Sequence, residues 1–115
     1  AEAGVRAAER FLSLRTMPTA VFCSNDEMAI GLVRALKSRG LRVPEDVSVA
    51  GFDDIPLARY FDPPLTTILQ PKLDIGRESM KILCDMLDGR QPAEQGHILP
   101  FQLVVRDSTS RRRSR

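Results

Sequence analysis

Two polar side chains, Asn25 and Asp53, stand 28 positions apart, and each comes just after a short apolar run. The amide of Asn25 can donate and accept hydrogen bonds, whereas the carboxylate of Asp53 only accepts them. Together they could bind a polyol or a nucleoside base. The alternative is that Asn25 caps a helix and that Asp53 begins a polar turn after a strand, because both residue types favour such positions.

The elements around these residues predict that both lie at one edge of a parallel sheet. The run from Thr19 to Ser24 is rich in strand formers, and we expect a strand that is buried on both faces. Apolar periodicity predicts a helix over 27–39, and residues 47–52 predict a second strand. Such a β–α–β unit joins two parallel strands, and ligands of open parallel sheets bind outside the carboxyl ends of the strands.

The rest of the chain continues the alternation of helices and strands. Periodicity predicts helices over 1–13 and 72–88, and β-branched runs predict strands over 65–69 and 97–106. The resulting set of about four strands is smaller than the ~5–6 strands of an average sheet. We therefore expect an α/β fold that is only partly present, with the missing part upstream of Ala1.

Motifs that carry catalysis are absent from the sequence. His97 is the only histidine, and we find no nucleophile elbow, no glycine-rich phosphate loop and no metal-ligating cluster. Cys23 and Cys84 lie far apart inside apolar segments, where we expect small buried thiols. No apolar run approaches the ~20 residues that span a bilayer. The sequence therefore predicts neither an enzyme, nor a cofactor, nor a membrane protein.

The net charge of +2 is unevenly distributed along the chain. Four of the 17 Lys and Arg residues lie in 111–115, which leaves 13 basic and 15 acidic side chains in the other 110 residues. Short terminal charge runs are mostly solvated. We therefore expect 110–115 to be a basic disordered tail and not a nucleic-acid contact.

One apolar residue lies outside the apolar face of the helix predicted over 27–39. Ile30 projects on the opposite side of that helix, near Arg34 and Lys37. We expect Ile30 to be wetted unless a partner covers it, although single exposed apolar residues are common.

Three motifs follow one another along the chain. They are Pro-Thr-Ala-Val-Phe-Cys-Ser-Asn-Asp-Glu-Met-Ala-Ile-Gly (18–31), Gly-Leu-Arg-Val-Pro-Glu-Asp-Val-Ser-Val-Ala-Gly-Phe-Asp-Asp-Ile (40–55) and Pro-Leu-Thr-Thr-Ile-Leu-Gln-Pro (64–71). In this order and at this spacing they resemble the C-terminal third of the lactose-repressor (LacI/GalR) family of bacterial transcription regulators. The resemblance extends from Gly4 to about Thr109 and is greatest to nucleoside-responsive members of the family.

The resemblance implies a core of the type I periplasmic-binding-protein kind, with a doubly wound parallel sheet and two subdomains. A small sugar or nucleoside would bind as effector in the cleft between the subdomains. Residues 1–109 would form the C-terminal portion of this sensor domain. Asn25 and Asp53 match effector-contacting positions, and Gln70 matches a cleft position where the chain crosses between the subdomains.

The resemblance also implies a cytoplasmic homodimer without a cofactor. Ile30 and Phe61 match positions at the dimer interface of the family. Operator DNA would be bound only through an N-terminal helix-turn-helix that has no counterpart in this chain. Two other interpretations stay open: an exported, generally monomeric solute-binding protein of a sugar transporter, and a small α/β enzyme that uses Asp53 with Cys23 or His97.

Overall fold

The computed structural model describes residues 1–91 and 96–111, in which helices alternate with short strands. The elements are α1 (Glu2–Leu12), β1 (Ala20–Phe22), α2 (Asp26–Ser38), β2 (Ser48–Ala50), α3 (Pro56–Tyr60), β3 (Thr67–Leu69), α4 (Lys72–Leu87) and β4 (Gln102–Val104). The chain divides into two compact units, of which the second covers residues 70–102 and the first the remainder. This order confirms the predicted α/β class.

The strands β1 and β2 form the parallel pair that the β–α–β pattern predicted. Phe22 is the ladder partner of Ala50. On its other side, β2 is joined to the start of β3 by a parallel bridge between Ala50 and Thr66, and the N–H of Gly51 donates to the carbonyl oxygen of Thr66 at 2.9 Å. The strand β3 pairs in turn with β4. The carboxyl ends of β1, β2 and β3 therefore point to one edge.

The hydrophobic core contains the apolar face of α2 and residues in and around β2. Its largest fully buried apolar side chains are Leu32, Leu36, Leu65, Val33, Val47 and Val49. Helix α1 lies very close to α2 at Gly4. A Cβ atom at this position would overlap the carbonyl oxygen of Met28. Glycine permits this close approach of two helix backbones.

The predicted exposure of Ile30 is wrong. Its exposed fraction is only 7%. The reason is α1, since Ile30 lines a groove between α1 and α2 together with Val5 and Leu12. Periodicity identifies the most apolar face of a helix, but it does not show how many neighbours the helix has.

The strand β1 is not buried on both faces as predicted. Val21 is half-buried and packs against the core, whereas Ala20 and Phe22 are exposed. The predicted strand over 97–106 also shrinks to Gln102–Val104, so His97 lies outside it. A run of strand-forming residues predicts extended backbone, but ladder pairing depends on a neighbouring strand.

Helix α4 forms where it was predicted but buries none of its residues. Its apolar stripe includes Leu73, Met80, Leu83 and Leu87, whose exposed fractions lie between 51% and 79%. Cys84, which we expected to be buried, is exposed on this helix. Among the described residues, no helix combines the length and the apolar character needed to cross a membrane.

Ser110, one residue beyond the predicted domain boundary at 109, is hydrogen-bonded to the rest of the first unit. The N–H of Ser110 donates to the hydroxyl of Ser48 at 3.1 Å, so Ser110 belongs to the fold. Residues 112–115, which carry most of the predicted basic tail, lie outside the described residues.

Candidate functional site

Asn25 and Asp53 lie in two loops at the same edge of the sheet. Each follows its own strand by three residues, counted from the paired residues Phe22 and Ala50. The backbone N–H of Asp26 donates to the carbonyl oxygen of Phe52 at 2.9 Å. The chain neighbours of Asn25 and Asp53 are therefore hydrogen-bonded to each other, and this bond holds the two loops side by side.

Asn25 is the N-cap of α2. Its backbone is extended, and its side-chain oxygen Oδ1 accepts a hydrogen bond from the N–H of Met28 at 2.8 Å. The alternative raised by the sequence, a helix cap, is therefore correct for this oxygen. The capping bond is made by Oδ1, so the part of the amide that does not take part in the cap is the donor group Nδ2. The side chain is half-buried, so the cap orients this donor without removing the residue from the surface.

Asp53 occupies a strained turn that follows β2. Its φ angle is 112° and that of Asp54 is 46°, although neither residue is glycine. Such angles are uncommon for residues with a Cβ atom and persist where surrounding bonds enforce them. The N–H of Asp53 donates to the carbonyl oxygen of Ile68 at 2.9 Å, which ties the turn to β3. The residue is half-buried.

Asp26, the first residue of α2, is completely buried. Its Oδ1 accepts a hydrogen bond from the hydroxyl of Thr67 at 2.6 Å, and its Oδ2 accepts one from the N–H of Ile55 at 2.9 Å. A Cβ atom on Gly51 would overlap this carboxylate, so the glycine makes room for it. The sequence showed Asp26 only as a residue suited to a helix start, and nothing in its type indicated this burial.

Asp54 forms an ion pair with Arg106, a residue that sequence reasoning did not single out. The Nη2 atom of Arg106 lies 2.7 Å from Oδ1 of Asp54, and the two side chains are only 12% and 13% exposed. Arg106 also donates through Nη1 to the carbonyl oxygen of Leu65 at 2.9 Å. The turn that contains Asp53 is thereby attached to the chain after β4.

Gln70 directly follows β3 and is the first residue of the second unit. It is half-buried, and its carbonyl oxygen accepts a hydrogen bond from the N–H of Lys72 at 2.9 Å. Its participation in a site with Asn25 and Asp53 stays a prediction.

A cavity of about 280 Å³ is lined by Asp54, Ile55 and residues of α3. Asn25 and Asp53 do not line it. Just before these two residues along the chain, the ring of Phe22 at the end of β1 and the ring of Phe52 in the loop after β2 meet edge to face, with their centroids 6.4 Å apart. The edge therefore combines polar loop residues with an aromatic pair.

The two predicted interface residues differ in their surroundings. Ile30 lines the α1–α2 groove, which has a volume of about 430 Å³. Phe61, which follows α3, is half-buried and packs against the core. Its neighbour Tyr60 is 79% exposed.

The arrangement suits binding better than covalent catalysis. Burial raises the pKa of the Cys23 thiol from 9.0 to about 11, so the thiol stays protonated at neutral pH and is a poor nucleophile. Among residues 1–91 and 96–111, no group of three or more His, Cys, Asp or Glu could hold a metal ion. What the edge offers is a set of hydrogen-bonding groups in loops that are hydrogen-bonded to each other and to β3.

Residues 1–109 match the periplasmic binding protein-like domain family over almost the whole chain. Among curated proteins, the chain is 46% identical over 108 residues to the HTH-type transcriptional repressor CytR of Escherichia coli strain K12, covering 94% of this chain and 32% of that protein. The chain therefore spans about a third of the length of the curated relatives it matches.

Solved structures give the same result. The lac repressor dimer bound to operator and the anti-inducer ONPF superposes with a TM-score of 0.82 at 38% identity, over 92% of this chain and 37% of that one. The complex of the transcriptional regulator CelR with cellobiose gives 0.84 at 36% identity, over 93% and 33% of the two chains. These relatives are transcription regulators and not enzymes. The chain belongs to the periplasmic binding protein-like domain family, and the proteins it is similar to within that fold are repressors of the LacI type.

Proposed function

We propose that this chain forms the C-terminal portion of the effector-binding region of a cytoplasmic, DNA-binding repressor, and that Asn25 and Asp53 bind a small sugar or nucleoside. The observation that carries the proposal is the hydrogen bond between Asp26 and Phe52, which holds the loops of Asn25 and Asp53 side by side at the carboxyl edge of the sheet. Ligands of open α/β sheets bind at this edge. The CelR–cellobiose complex supports a sugar-sized effector.

The chemistry of the two side chains is complementary. The cap directs Oδ1 of Asn25 to the helix backbone, so the amide offers its Nδ2 donor to an effector oxygen. The carboxylate of Asp53 accepts hydrogen bonds from effector hydroxyl or amino groups, and bonds to a charged acceptor are stronger than those between neutral groups. A donor and an acceptor at fixed positions select a ligand that carries both kinds of group. Gln70 would extend the site as a residue of the crossing segment.

Regulation follows from unequal affinity for two conformations. An effector shifts the equilibrium between an open and a closed sensor only by the difference between its binding free energies to the two forms. In the full-length repressor, this shift would move the DNA-reading heads relative to their half-sites. Operator DNA would be bound through an N-terminal helix-turn-helix.

The experiment is a thermal-shift screen of the full-length repressor against nucleosides, purines and simple sugars. A ligand that binds only the folded protein raises the melting temperature by mass action. We expect Asp53→Asn to abolish the ligand-induced shift while leaving the melting temperature without ligand close to that of the wild type.

Asn25 needs a control, because it has a structural role as well. Asn25→Ala removes the cap and costs about 1 kcal/mol, whereas Asn25→Ser keeps a capping oxygen. We expect both variants to lose the ligand response, but only the alanine variant to lose basal stability. An unchanged ligand response in Asp53→Asn and Asn25→Ser would contradict the proposed site.

We also propose that the repressor is a homodimer whose interface includes Ile30, Phe61 and the α1–α2 groove. The lac repressor, which has the same fold, was solved as a dimer on its operator. Glu2, Val5 and Glu9 of α1 line one wall of the groove and Arg34 of α2 lines the other, and Val5 is 40% exposed. A two-fold axis would place the acidic wall of one protomer against the basic wall of its partner.

The burial of Ile30 decides which variant tests the interface. Ile30→Asp would also disturb the packing of α1 on α2, so Val5→Asp, at a residue that is 40% exposed, is the better probe. We expect Val5→Asp to turn the dimer into a monomer on analytical ultracentrifugation. Leu14→Asp, at a residue that is 50% exposed beyond the end of α1, serves as the control. A dimer that persists in Val5→Asp would place the interface elsewhere.

A further inference from the structure

The turn that contains Asp53 is held by three hydrogen bonds, which the consecutive backbone N–H groups of Asp53, Asp54 and Ile55 donate. The N–H of Asp53 donates to the carbonyl oxygen of Ile68 at 2.9 Å, and that of Asp54 to the hydroxyl of Thr67 at 3.4 Å. The N–H of Ile55 donates to Oδ2 of Asp26 at 2.9 Å. The side chains of Thr67 and Asp26 therefore supply two of the three acceptors.

Thr67 and Asp26 are also bonded to each other. The hydroxyl of Thr67 donates to Oδ1 of Asp26 at 2.6 Å, and neither residue is exposed to solvent. A buried carboxylate is costly unless hydrogen bonds satisfy it. Here the bonds come from Thr67 and from Ile55, a residue of the turn. The start of α2, where Asp26 lies, further favours a negative charge.

We propose that Asp26 and Thr67 are positioning residues for effector binding. The buried carboxylate of Asp26 and the hydroxyl of Thr67 hold the turn with its two positive φ angles. They thereby fix the position and direction of the Cα–Cβ bond of Asp53. This inference rests on the proposed function, in which Asp53 contacts the effector. The hydrogen bonds to Asp26 and Thr67 also explain why the strained turn persists, since backbone strain is kept only where the surroundings enforce it.

The chain offers a matched control in Ser108. Its hydroxyl is also fully buried and also makes two hydrogen bonds, one to the carbonyl oxygen of Val49 at 2.6 Å and one from the N–H of Thr66 at 2.8 Å. Neither bond reaches the turn. Thr67→Val and Ser108→Ala therefore each remove one buried hydroxyl with two bonds, and only Thr67→Val removes an acceptor of the turn.

The first arm of the experiment measures amide hydrogen exchange in the 115-residue chain and needs no ligand. We expect Thr67→Val to accelerate exchange at Asp54 and Ile55 about tenfold relative to Ser108→Ala. The substitution removes the acceptor of the Asp54 N–H, and it also removes the hydroxyl that binds Asp26, which is the acceptor of the Ile55 N–H. Ser108→Ala should instead accelerate exchange at Thr66. Thr67→Ser, which keeps the hydroxyl, should restore slow exchange in the turn. Equal exchange at Asp54 and Ile55 in the valine and wild-type chains would overturn the proposal.

The second arm measures the affinity of the full-length repressor for cytidine by calorimetry. We expect Thr67→Val to raise the dissociation constant about tenfold, and Ser108→Ala to leave it within about twofold although both variants lower the melting temperature. Equal affinity losses in the two variants would show a merely structural role and would overturn the proposal. If wild-type protein does not bind cytidine, cytidine is not the effector, and the exchange arm still decides whether Asp26 and Thr67 hold the turn.

Discussion

Helices α2 and α4 have the same kind of apolar periodicity, yet α2 is largely buried and α4 is exposed. Helix α2 buries seven of its 13 residues, including Leu32, Val33 and Leu36. Helix α4 has 16 residues and buries none of them. The apolar stripe alone therefore predicts that a helix forms, and the presence of a packing partner decides whether its apolar stripe contributes to the core.

The difference has an energetic consequence. Isolated helices of ~12–15 residues are marginal in water, and most helix stability in proteins comes from packing of the apolar face. In this chain we expect α2 to open only with the first unit as a whole, and α4 to open at a much lower free energy. Each of the following predictions compares a residue of the first unit with its counterpart on α4.

The largest effect is expected for leucine truncation. Leu32→Ala removes a completely buried side chain from α2 and should lower the free energy of unfolding of the first unit by about 2–5 kcal/mol. Leu83→Ala removes a side chain that is 51% exposed on α4 and should cost about 1 kcal/mol or less. Urea unfolding of the 115-residue chain, followed residue by residue by NMR, measures both. Comparable costs at the two sites would show that α4 buries its stripe.

Smaller effects, opposite in sign to each other, are expected for alanine substitutions at one glycine of α1 and one of α4. Gly4→Ala places a Cβ atom against the carbonyl oxygen of Met28, so α1 must move away from α2, and we expect a loss of about 1–3 kcal/mol. Gly76→Ala on α4 meets nothing within 4 Å and should increase helix stability by about 0.5–1 kcal/mol.

Amide exchange in α1 and in α4 measures the two glycine effects separately. A stabilising Gly4→Ala would mean that the close crossing of α1 and α2 is absent in solution.

Local patterns predicted the elements well, because strands, caps and helix ends depend on residues close in sequence. The helix over 72–88 was predicted within one residue of its observed end, and Asn25 was correctly proposed as a possible cap. The parallel pairing of β1 with β2 was also predictable, since a strand–helix–strand pattern leaves few alternatives. These local features are enough to predict that Asn25 and Asp53 lie at one edge of the sheet.

Features that depend on distant contacts could not be predicted. The burial of Ile30 depends on α1, and the exposure of Cys84 depends on what packs against α4. The hydrogen bond between Asp26 and Thr67, 41 positions apart, joins residues that a sequence shows only as a helix start and a strand former. The same is true of the ion pair between Asp54 and Arg106. Polar residues of ordinary type thus acquire a special role only through the fold.

The central claim is that Asn25 and Asp53 together bind the effector, and a crystal structure of the full-length repressor with the ligand that gives the largest thermal shift tests it most directly. We expect an effector oxygen within hydrogen-bond distance of Nδ2 of Asn25, and an effector hydroxyl or amino group within the same distance of the Asp53 carboxylate. An effector bound elsewhere, with both side chains outside hydrogen-bond distance, would contradict it.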